Sequence, residues 1–373
     1  MILKRHFRRA YTCARGYYLA VSQPNPDAPR VTTRLHGVLK ARFRYRIGPR
    51  YYSLYRLASV EPSRWNDYVI DNKAYGDNFR SISEERFRSI INRKSLFFAH
   101  CVHHSLPTPP VRAIIPPSNG AHTGGDGFDI TGPVATNARD WLGLVQTGEG
   151  DLFIKSDDGA YGDGAFSATR QSDRWHYCGR ASSLSDLFYY VRERANRSQT
   201  CFIAQSRIHA HDELRSLMSP TAVGCVRIVT YMREGEAHLF CAEIKLTAGN
   251  GETDNFGLAA NGNMVAAVDM DSGRLAVGYA SRSLAWPVIQ PIAEHPDTGK
   301  RIEGTRLPLW EEVKSLALQA QRSLPEVKTI GWDIAITPEG PLILEGNTTY
   351  GLASLQIAHQ RGFKREMEQI FRG

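Results

Sequence analysis

The sequence has no long hydrophobic run, no paired cysteines and no P-loop motif. Its apolar runs are too short to span a bilayer, and no secretory h-region follows the basic start, so we expect a cytoplasmic protein without a transmembrane segment. The six cysteines are scattered without a C-x-x-C pair. This pattern is typical of a reducing compartment and argues against a structural zinc site. The absence of G-x-x-x-x-G-K-[ST] disfavours a P-loop NTPase.

Acidic residues are scarce near the N-terminus. Residues 1–60, the basic N-terminal arm, hold 13 Lys and Arg but only one acid, Asp27, whereas the remainder holds 33 basic and 37 acidic residues. The arm either meets an anionic partner, such as a membrane surface, a glycan or a nucleic acid, or is a solvated helical face packed near the acidic remainder. Nucleic acid is disfavoured among these partners, because the arm lacks an RNA-binding aromatic signature.

The chain of 373 residues is long enough to bury a full core divided into two or three subdomains. Predicted strands and helices interleave with hairpins, which indicates an α+β or mixed α/β fold. Residues 1–90 are predicted to be largely helical. Further helices are predicted over 83–94, 182–195, 309–323 and 352–371, and strands over 111–115, 152–155, 201–205, 225–232 and 238–246.

The segment 331–351 carries two carboxylates and an amide on consecutive apolar runs. The turn at 338–341 separates the runs, which predicts a β-hairpin. Asp333 on the first strand and Glu345 and Asn347 at the end of the second then point the same way. Three converging oxygen ligands suit a hard divalent cation, and Mg²⁺ typically combines such few protein ligands with nucleotide phosphates.

A lysine followed by spaced glycines ends the predicted strand at 152–155. Glycine lets the backbone approach a phosphate closely, and Lys155 would add a point charge. The same pattern is also typical of a plain hairpin tip. The glycines are Gly159, Gly162 and Gly164.

Two cations stand inside otherwise apolar predicted strands, Arg227 on one and Lys245 on the next. Cations on half-buried strands need anionic partners. They either pair with structural carboxylates or face the same cleft as Asp333 and bind phosphate oxygens.

Taken in this order, these features resemble the ATP-grasp enzymes, specifically the group called sugar-transfer-associated ATP-grasp proteins. The likeness covers roughly residues 85–360, and its most specific stretch is GWDIAITPEGPLILEGN at 331–347. Supporting stretches are NRK at 92–94, the Lys155 loop, VRIVT at 226–230, DN at 254–255 and HPDTG at 295–299.

The resemblance implies two α+β subdomains that clasp ATP, over residues 91–205 and 206–373, after a helical region at 1–90. Lys94 and Lys155, with the glycines of the loop, would hold the nucleotide, and the strand ending at Gln205 would lie beside the adenine. The metal ligands for Mg²⁺ would be Asp333, Glu345 and Asn347.

The same resemblance implies a reaction. Arg227 and Lys245 resemble the strand cations that contact the terminal phosphate in the tubulin-tyrosine-ligase-like branch. The family's usual reaction activates a carboxylate as an acyl phosphate, which an amine then displaces, here in the synthesis of a cell-surface glycan or a secondary metabolite. Two alternatives stay open, a phosphotransferase on the same fold and a non-catalytic module that binds a glycan or an acidic surface through the basic N-terminal arm.

Two departures from the family pattern bear on the reaction. Many carboxylate ligases of this fold have an arginine two residues before the metal-binding aspartate, where this chain has Gly331, so Arg227, Lys245 or His295 would take its role. The Lys155 loop, residues 155–164, also carries three acids. Acidic side chains beside phosphates cost energy unless they are screened, face outward or bind the amine substrate. These acids are Asp157, Asp158 and Asp163.

Two interpretations are open for each of the remaining candidate site residues. His295 either contacts the substrate or stabilises its own loop. Asp254 and Asn255 either form a turn or line the polar wall of the cleft as substrate-binding residues.

Overall fold

The structure is a computed structural model that describes residues 14–23, 28, 30–70, 73–119, 132–146, 148, 150–159, 164–219, 222–249, 254–257 and 260–372. The helices are α1 Val31–Tyr45, α2 Pro49–Leu54, α3 Lys73–Ser81, α4 Glu85–Asn92, α5 Lys94–His103, α6 Ala138–Gln146, α7 Leu184–Ser198, α8 Asp212–Arg215, α9 Trp310–Arg322, α10 Leu352–His359 and α11 Lys364–Arg372. The strands are β1 Val111–Ile115, β2 Leu152–Ser156, β3 Phe166–Gln171, β4 Arg174–Tyr177, β5 Arg180–Ser182, β6 Phe202–Ser206, β7 Val226–Arg233, β8 Glu236–Leu246, β9 Met264–Val268, β10 Leu275–Ser281, β11 Ile289–Ile292, β12 Thr329–Thr337 and β13 Gly340–Asn347.

The described strands form two sheets. The small sheet has six strands in the order β1-β6-β2-β3-β4-β5, and the large sheet has seven in the order β11-β10-β9-β8-β7-β12-β13. Neighbouring strands in both sheets run antiparallel. Antiparallel sheets combined with separate helices make this an α+β fold.

The small sheet has an apolar face and a face that carries a charged residue. Leu152 and Ile154 on β2 pack in a core with Trp141 of α6 and Leu187 of α7. Because side chains alternate along a strand, Lys155 lies on the opposite face, beside its cross-strand partner Ile203.

The large sheet also has one apolar face and one face that carries polar residues. Ile228, Ile244 and Trp332 face a core that includes Val313 and Ala317 of helix α9. The residues that alternate with them on β7, β8 and β12 therefore face the other side of the sheet, where the polar residues of the candidate site lie.

The helical N-terminal region packs on this second side of the large sheet through α10. Tyr55 shares a core with Ala353 and Ile357 of α10 and with Val265 of β9. Gln356 donates from Nε2 to Tyr55 Oη at 3.1 Å, and its Oε1 accepts from the Val69 main-chain N–H at 2.8 Å. None of the helices in the described ranges is long and apolar enough to cross a bilayer.

The predicted strands, the hairpin at 331–347 and the helices over 182–195 and 309–323 are confirmed within a few residues. The single helix predicted over 352–371 is wrong, because the chain breaks between α10 and α11. Gln360 takes a left-handed φ of 48°, and a Cβ at Gly362 would lie 2.1 Å from Asp67 O. Gly362 thus approaches residues 67–68 so closely that no side chain fits at this position. Strands β3–β5 and β9–β11 were not predicted.

Candidate functional site

A row of charged side chains crosses four neighbouring strands of the large sheet. Arg227 on β7 is paired with Glu243 on β8 and with Asp333 on β12, and Asp333 is paired with Glu345 on β13. Directly paired residues of antiparallel strands project from the same face. The register therefore sets Glu243, Arg227, Asp333 and Glu345 side by side, and we call these four residues the charged row.

Asp333 lies between two cations. Arg227 donates to it from Nε and Nη2 at 2.8 and 2.7 Å, and Lys245 Nζ donates to its Oδ2 at 2.7 Å. Burial alone would raise the pKa of the Asp333 carboxyl, but the Arg227 and Lys245 cations hold it well below its usual range. Asp333 is therefore ionised at neutral pH. Arg227 and Lys245 pair with a buried carboxylate and also face the same side as the candidate metal site, because this carboxylate is itself a candidate metal ligand.

Glu243 at the end of the charged row has one unsatisfied oxygen. Its Oε1 accepts from Ser354 Oγ on α10 at 2.7 Å, whereas Oε2 is buried without a hydrogen-bond partner among the described residues. Burial raises the pKa of Glu243 to about 7, although Arg227, the Ser354 hydroxyl and Lys245 act in the opposite direction. The carboxyl therefore changes charge near neutral pH beside Arg227.

Tyr350 fills the space beside Gly331. A Cβ built on Gly331 would lie 2.9 Å from Tyr350 Cβ and 3.0 Å from its Cγ. Tyr350 itself is buried, and its hydroxyl lies 2.8 Å from Thr329 Oγ1. Packing against Tyr350 thus requires glycine at position 331, where many ligases of this fold have arginine. No arginine fits there without moving the tyrosine ring.

We predict that Gly331→Ala lowers the free energy of unfolding by about 1–3 kcal/mol, because the added methyl overpacks a closed site. Urea titration monitored by circular dichroism measures this. Gly143→Ala is the matched control, since no described residue lies within 4 Å of a Cβ at this helical position. Equal stability of the two variants would contradict the packing account.

The small sheet meets the charged row through Lys155. Burial lowers the pKa of Lys155 to about 8, with the Glu345 carboxylate acting to raise it and the Lys94 cation to lower it further. Lys155, Lys94 and Glu345, from the two sheets and from α5, therefore lie close enough for their charges to interact. Nearby, Thr348 after β13 donates to Asn92 Oδ1 at 3.0 Å.

The acids of the Lys155 loop differ in burial and in their hydrogen-bond partners. Asp157 is buried, pairs with Arg93 Nη2 at 3.1 Å and accepts from the Ser95 main-chain N–H at 2.7 Å at the start of α5. It therefore anchors α5 to the small sheet. Asp158 accepts from Ser156 Oγ at 3.0 Å and is exposed. Asp163 lies outside the described residues.

Of the other candidate nucleotide residues, Gly159 lies at this junction and Gln205 lies on the neighbouring strand β6. Gly159 O accepts a hydrogen bond from Lys94 Nζ. Gly164 has a φ of +74°, a conformation that favours glycine. Gln205 is buried on β6, where Nε2 donates to Pro109 O at 3.3 Å. Gly162 lies outside the described residues.

Asp254 adjoins the charged row, whereas Asn255 forms a turn. Asp254 Oδ2 accepts from the Cys225 main-chain N–H at 3.1 Å and lies 4.0 Å from Lys245 Nζ. Asn255 Oδ1 accepts from the Gly257 N–H two residues on, at 3.0 Å. This is the geometry of an Asx turn.

His295 contacts main-chain groups through both ring nitrogens. Its Nδ1 accepts from the Asp297 N–H at 3.3 Å, so Nε2 carries the proton and donates to Thr247 O at 2.9 Å. The buried ring thereby ties the 295–299 turn to the end of β8. This arrangement favours the loop-stabilising reading.

The donor set fits a magnesium ion. Within the described ranges, no three His, Cys, Asp or Glu side chains group closely enough to hold a metal. Asp333 and Glu345 nevertheless face the same side in register, and Asn347 follows two residues later, opposite Gly331. Two carboxylates and an amide supply the oxygen ligands that Mg²⁺ takes, although Asp333 already accepts from two cations.

Sequence reasoning missed Glu243, Ser354 and Tyr350. Glu243 precedes Lys245 by two residues on one predicted strand, and this spacing alone places both on the same face. Ser354 and Tyr350 reach the site only through the fold of the chain after β13, which no local pattern reveals.

The family model described as "Sugar-transfer associated ATP-grasp" matches residues 77–372, which confirms the resemblance seen in the sequence. No curated protein sequence matches this chain.

Similar solved structures include an L-amino acid ligase from Bacillus licheniformis, at 9% identity and a TM-score of 0.40, covering 77% of this chain and 49% of that chain. They also include D-alanyl-alanine synthetase A from Vibrio cholerae O1 biovar eltor str. N16961, at 12% identity and a TM-score of 0.45, covering 78% of this chain and 67% of that one. This chain thus spans about half the length of the Bacillus licheniformis protein.

Proposed function

Since the chain belongs to the sugar-transfer-associated ATP-grasp family, we propose that it is an ATP-dependent ligase that joins a carboxylate to an amine through an acyl phosphate. The observation that carries this proposal is the charged row facing Lys155, because it combines carboxylates for a metal with cations for phosphates in one place. A module that only binds a glycan has no need of such a set.

The nucleotide would lie between the two sheets. Lys155 and Lys94 would bind its phosphates, and the chain after Gln205 would lie beside the adenine. Asp333, Glu345 and Asn347 would hold Mg²⁺, which when bound neutralises charge on the phosphates.

Binding would rearrange the ion pairs of the charged row. A metal cation that engages Asp333 would compete with Arg227 and Lys245 for its oxygens, since both side chains donate to them. Glu243 offers Arg227 a second carboxylate directly across the strand pair. We propose that this carboxylate holds Arg227 in place when Asp333 turns to the metal, which gives the unsatisfied Oε2 a role.

The reaction would proceed in two transfers. An oxygen of the substrate carboxylate forms a bond to the γ-phosphorus while the bond to the β–γ bridging oxygen breaks and ADP leaves. The amine nitrogen then attacks the acyl carbon, loses a proton, and phosphate departs. Arg227 and Lys245 would stabilise the negative charge that develops in both steps. Of the candidates for the role of the missing arginine these two remain, because Tyr350 leaves no room for an arginine at 331 and both His295 nitrogens contact main-chain groups.

A phosphotransferase on the same fold is the second candidate, favoured by Gly331, since the arginine that stabilises a tetrahedral intermediate is absent. The two reactions are distinguished by their products. A ligase releases ADP and phosphate only when a carboxylate and an amine are both present, whereas a kinase leaves a stable phosphorylated product with one substrate. Screening paired acids and amines for ADP release, with mass spectrometry of the products, makes this distinction.

We predict that Mg-ATP binding at pH 8.5 takes up about three quarters of a proton, because Lys155, with a pKa of about 8, is then mostly neutral and phosphate oxygens raise its pKa. Isothermal titration calorimetry in buffers of different ionisation enthalpy measures the uptake. The uptake by Lys155 should vanish near pH 6.5, where Lys155 is already charged.

Lys155→Arg is the matched control, because arginine keeps the charge and does not titrate in this range. The variant should bind Mg-ATP without proton uptake. If it takes up as many protons as the unchanged protein, Lys155 does not contact the phosphates.

A further inference from the structure

Helix α1 of the basic N-terminal arm carries an exposed apolar stripe. Val31, Leu35, Leu39 and Phe43 follow one another at intervals of four residues and are 56%, 44%, 38% and 81% exposed. This spacing places them along one side of the helix. We call these four residues the α1 stripe.

The α1 stripe is not the face through which the helix packs on the protein. The opposite side buries Gly37, Val38 and Ala41, and a Cβ at Gly37 would collide with the Tyr52 ring. Arg34 is also buried there, where it donates to Val21 O and Ala28 O at 2.7 and 2.8 Å. The helix is therefore docked firmly without using its stripe.

Cations surround the stripe, and acids are absent from the same part of the sequence. Residues 28–60 contain eight Lys and Arg and no Asp or Glu. Arg42 is exposed one turn after Leu39, so it flanks the stripe, and Arg46 is exposed directly after the end of the helix, three residues after Phe43. Residues 1–13 add four more Lys and Arg and no acid.

We infer that the α1 stripe and its arginines form a docking surface for an anionic phospholipid bilayer. Aliphatic and aromatic side chains on one side of a helix, flanked by arginines, match the boundary between acyl chains and negatively charged headgroups. A nucleic acid would satisfy the arginines but not the aliphatic stripe. The family match begins at residue 77, so the α1 stripe lies outside the matched region. The inference therefore does not depend on the proposed ligase reaction.

The test is sedimentation of the full chain with vesicles of phosphatidylcholine alone or with about 30 mol% phosphatidylglycerol. Binding should be at least about tenfold tighter to the anionic vesicles and should weaken as salt rises from about 0.1 to about 0.5 M. Leu39→Ser/Phe43→Ser and, separately, Arg42→Gln/Arg46→Gln should each weaken it about tenfold or more.

A matched control, Val102→Ser/Tyr189→Ser, removes two exposed apolar side chains outside the arm and should bind vesicles as the unchanged protein does. Thermal unfolding checks that each variant is folded. Equal vesicle binding by the stripe variant and the control overturns the inference. Self-association abolished by the stripe variant, or an oligonucleotide bound more tightly than the anionic vesicles, also overturns it, in favour of a second copy or of a nucleic acid.

Discussion

Replacing Glu345 by glutamine should lower Mg-ATP-dependent turnover by about 10²–10³-fold, the scale of losing one preorganised charged group at a reacting phosphate. Glu345 is half-buried, pairs in register with Asp333 and acts on Lys155 across the junction of the two sheets. Glutamine keeps the shape but removes the charge that a metal and Lys155 would share. The readout is ADP release with an active acid–amine pair, together with the affinity for a fluorescent ATP analogue with and without Mg²⁺.

Glu339→Gln is the matched control on the same hairpin. Glu339 is exposed at the tip and accepts from Thr337 Oγ1 at 3.1 Å, far along the strands from the charged row. It should leave turnover unchanged. Unchanged turnover in Glu345→Gln as well would remove Glu345 from the metal set.

Replacing Asp333 by asparagine should lower the free energy of unfolding by about 3–5 kcal/mol even without nucleotide, the usual cost of leaving buried charges unpaired. Arg227 and Lys245 both lose their shared counter-charge, and among the residues that the structure describes Lys245 keeps only Asp254, at 4.0 Å. Because the Asp333 pKa is held below its usual range, its stabilisation is present above the ordinary Asp pKa and is lost only as the pH falls through the folded value. Urea titration at neutral pH measures the difference.

Asp151→Asn tests whether burial decides this effect. Asp151 lies 3.6 Å from Arg207 and is more exposed than Asp333, so its loss should cost below about 1 kcal/mol. Adding Lys245→Met to Asp333→Asn should restore part of the stability, because it removes one uncompensated cation. A loss as small as that of Asp151→Asn would contradict the buried ion-pair account.

These variants separate two carboxylates that the sequence treats alike. Asp333 and Glu345 sit on one hairpin, and both are proposed metal ligands. Asp333 also neutralises two cations between the strands, whereas Glu345 stands at the outer strand facing Lys155. We therefore expect Asp333 variants to lose stability and function together and Glu345 variants to lose function alone.

The hairpin of the candidate site was predictable because its evidence is local. A Pro-Glu-Gly-Pro turn between two apolar runs predicts the hairpin. The pairing of Asp333 with Glu345 also needs the register shift between Asp333 and Ile334, without which Asp333 would pair with Leu344 and Glu345 would project from the other face. The same local reasoning placed Arg227 and Lys245 on adjacent strands. It also contained Glu243, two residues before Lys245, but an acid on an apolar strand has no evident role until Arg227 is found opposite.

The unpredicted features depend on distant contacts. Tyr350 closes the space at Gly331, and Asp67 leaves no room for a side chain at Gly362. Neither residue lies near its partner in a local sequence window. The loop-stabilising role of His295 follows from the Thr247 carbonyl at the end of β8. Only the three-dimensional path of the chain brings these residues together.

Thermal unfolding with Mg-ATP, Mg-ADP, and ATP plus a chelator tests the central proposal most directly. A ligand that binds the native state at about 100 times its Kd stabilises it by about 2.7 kcal/mol. We predict a rise in Tm of several degrees that requires both nucleotide and Mg²⁺ and disappears in Glu345→Gln. No rise at millimolar Mg-ATP, or an equal rise with chelator present, would contradict a metal-dependent nucleotide site at the charged row.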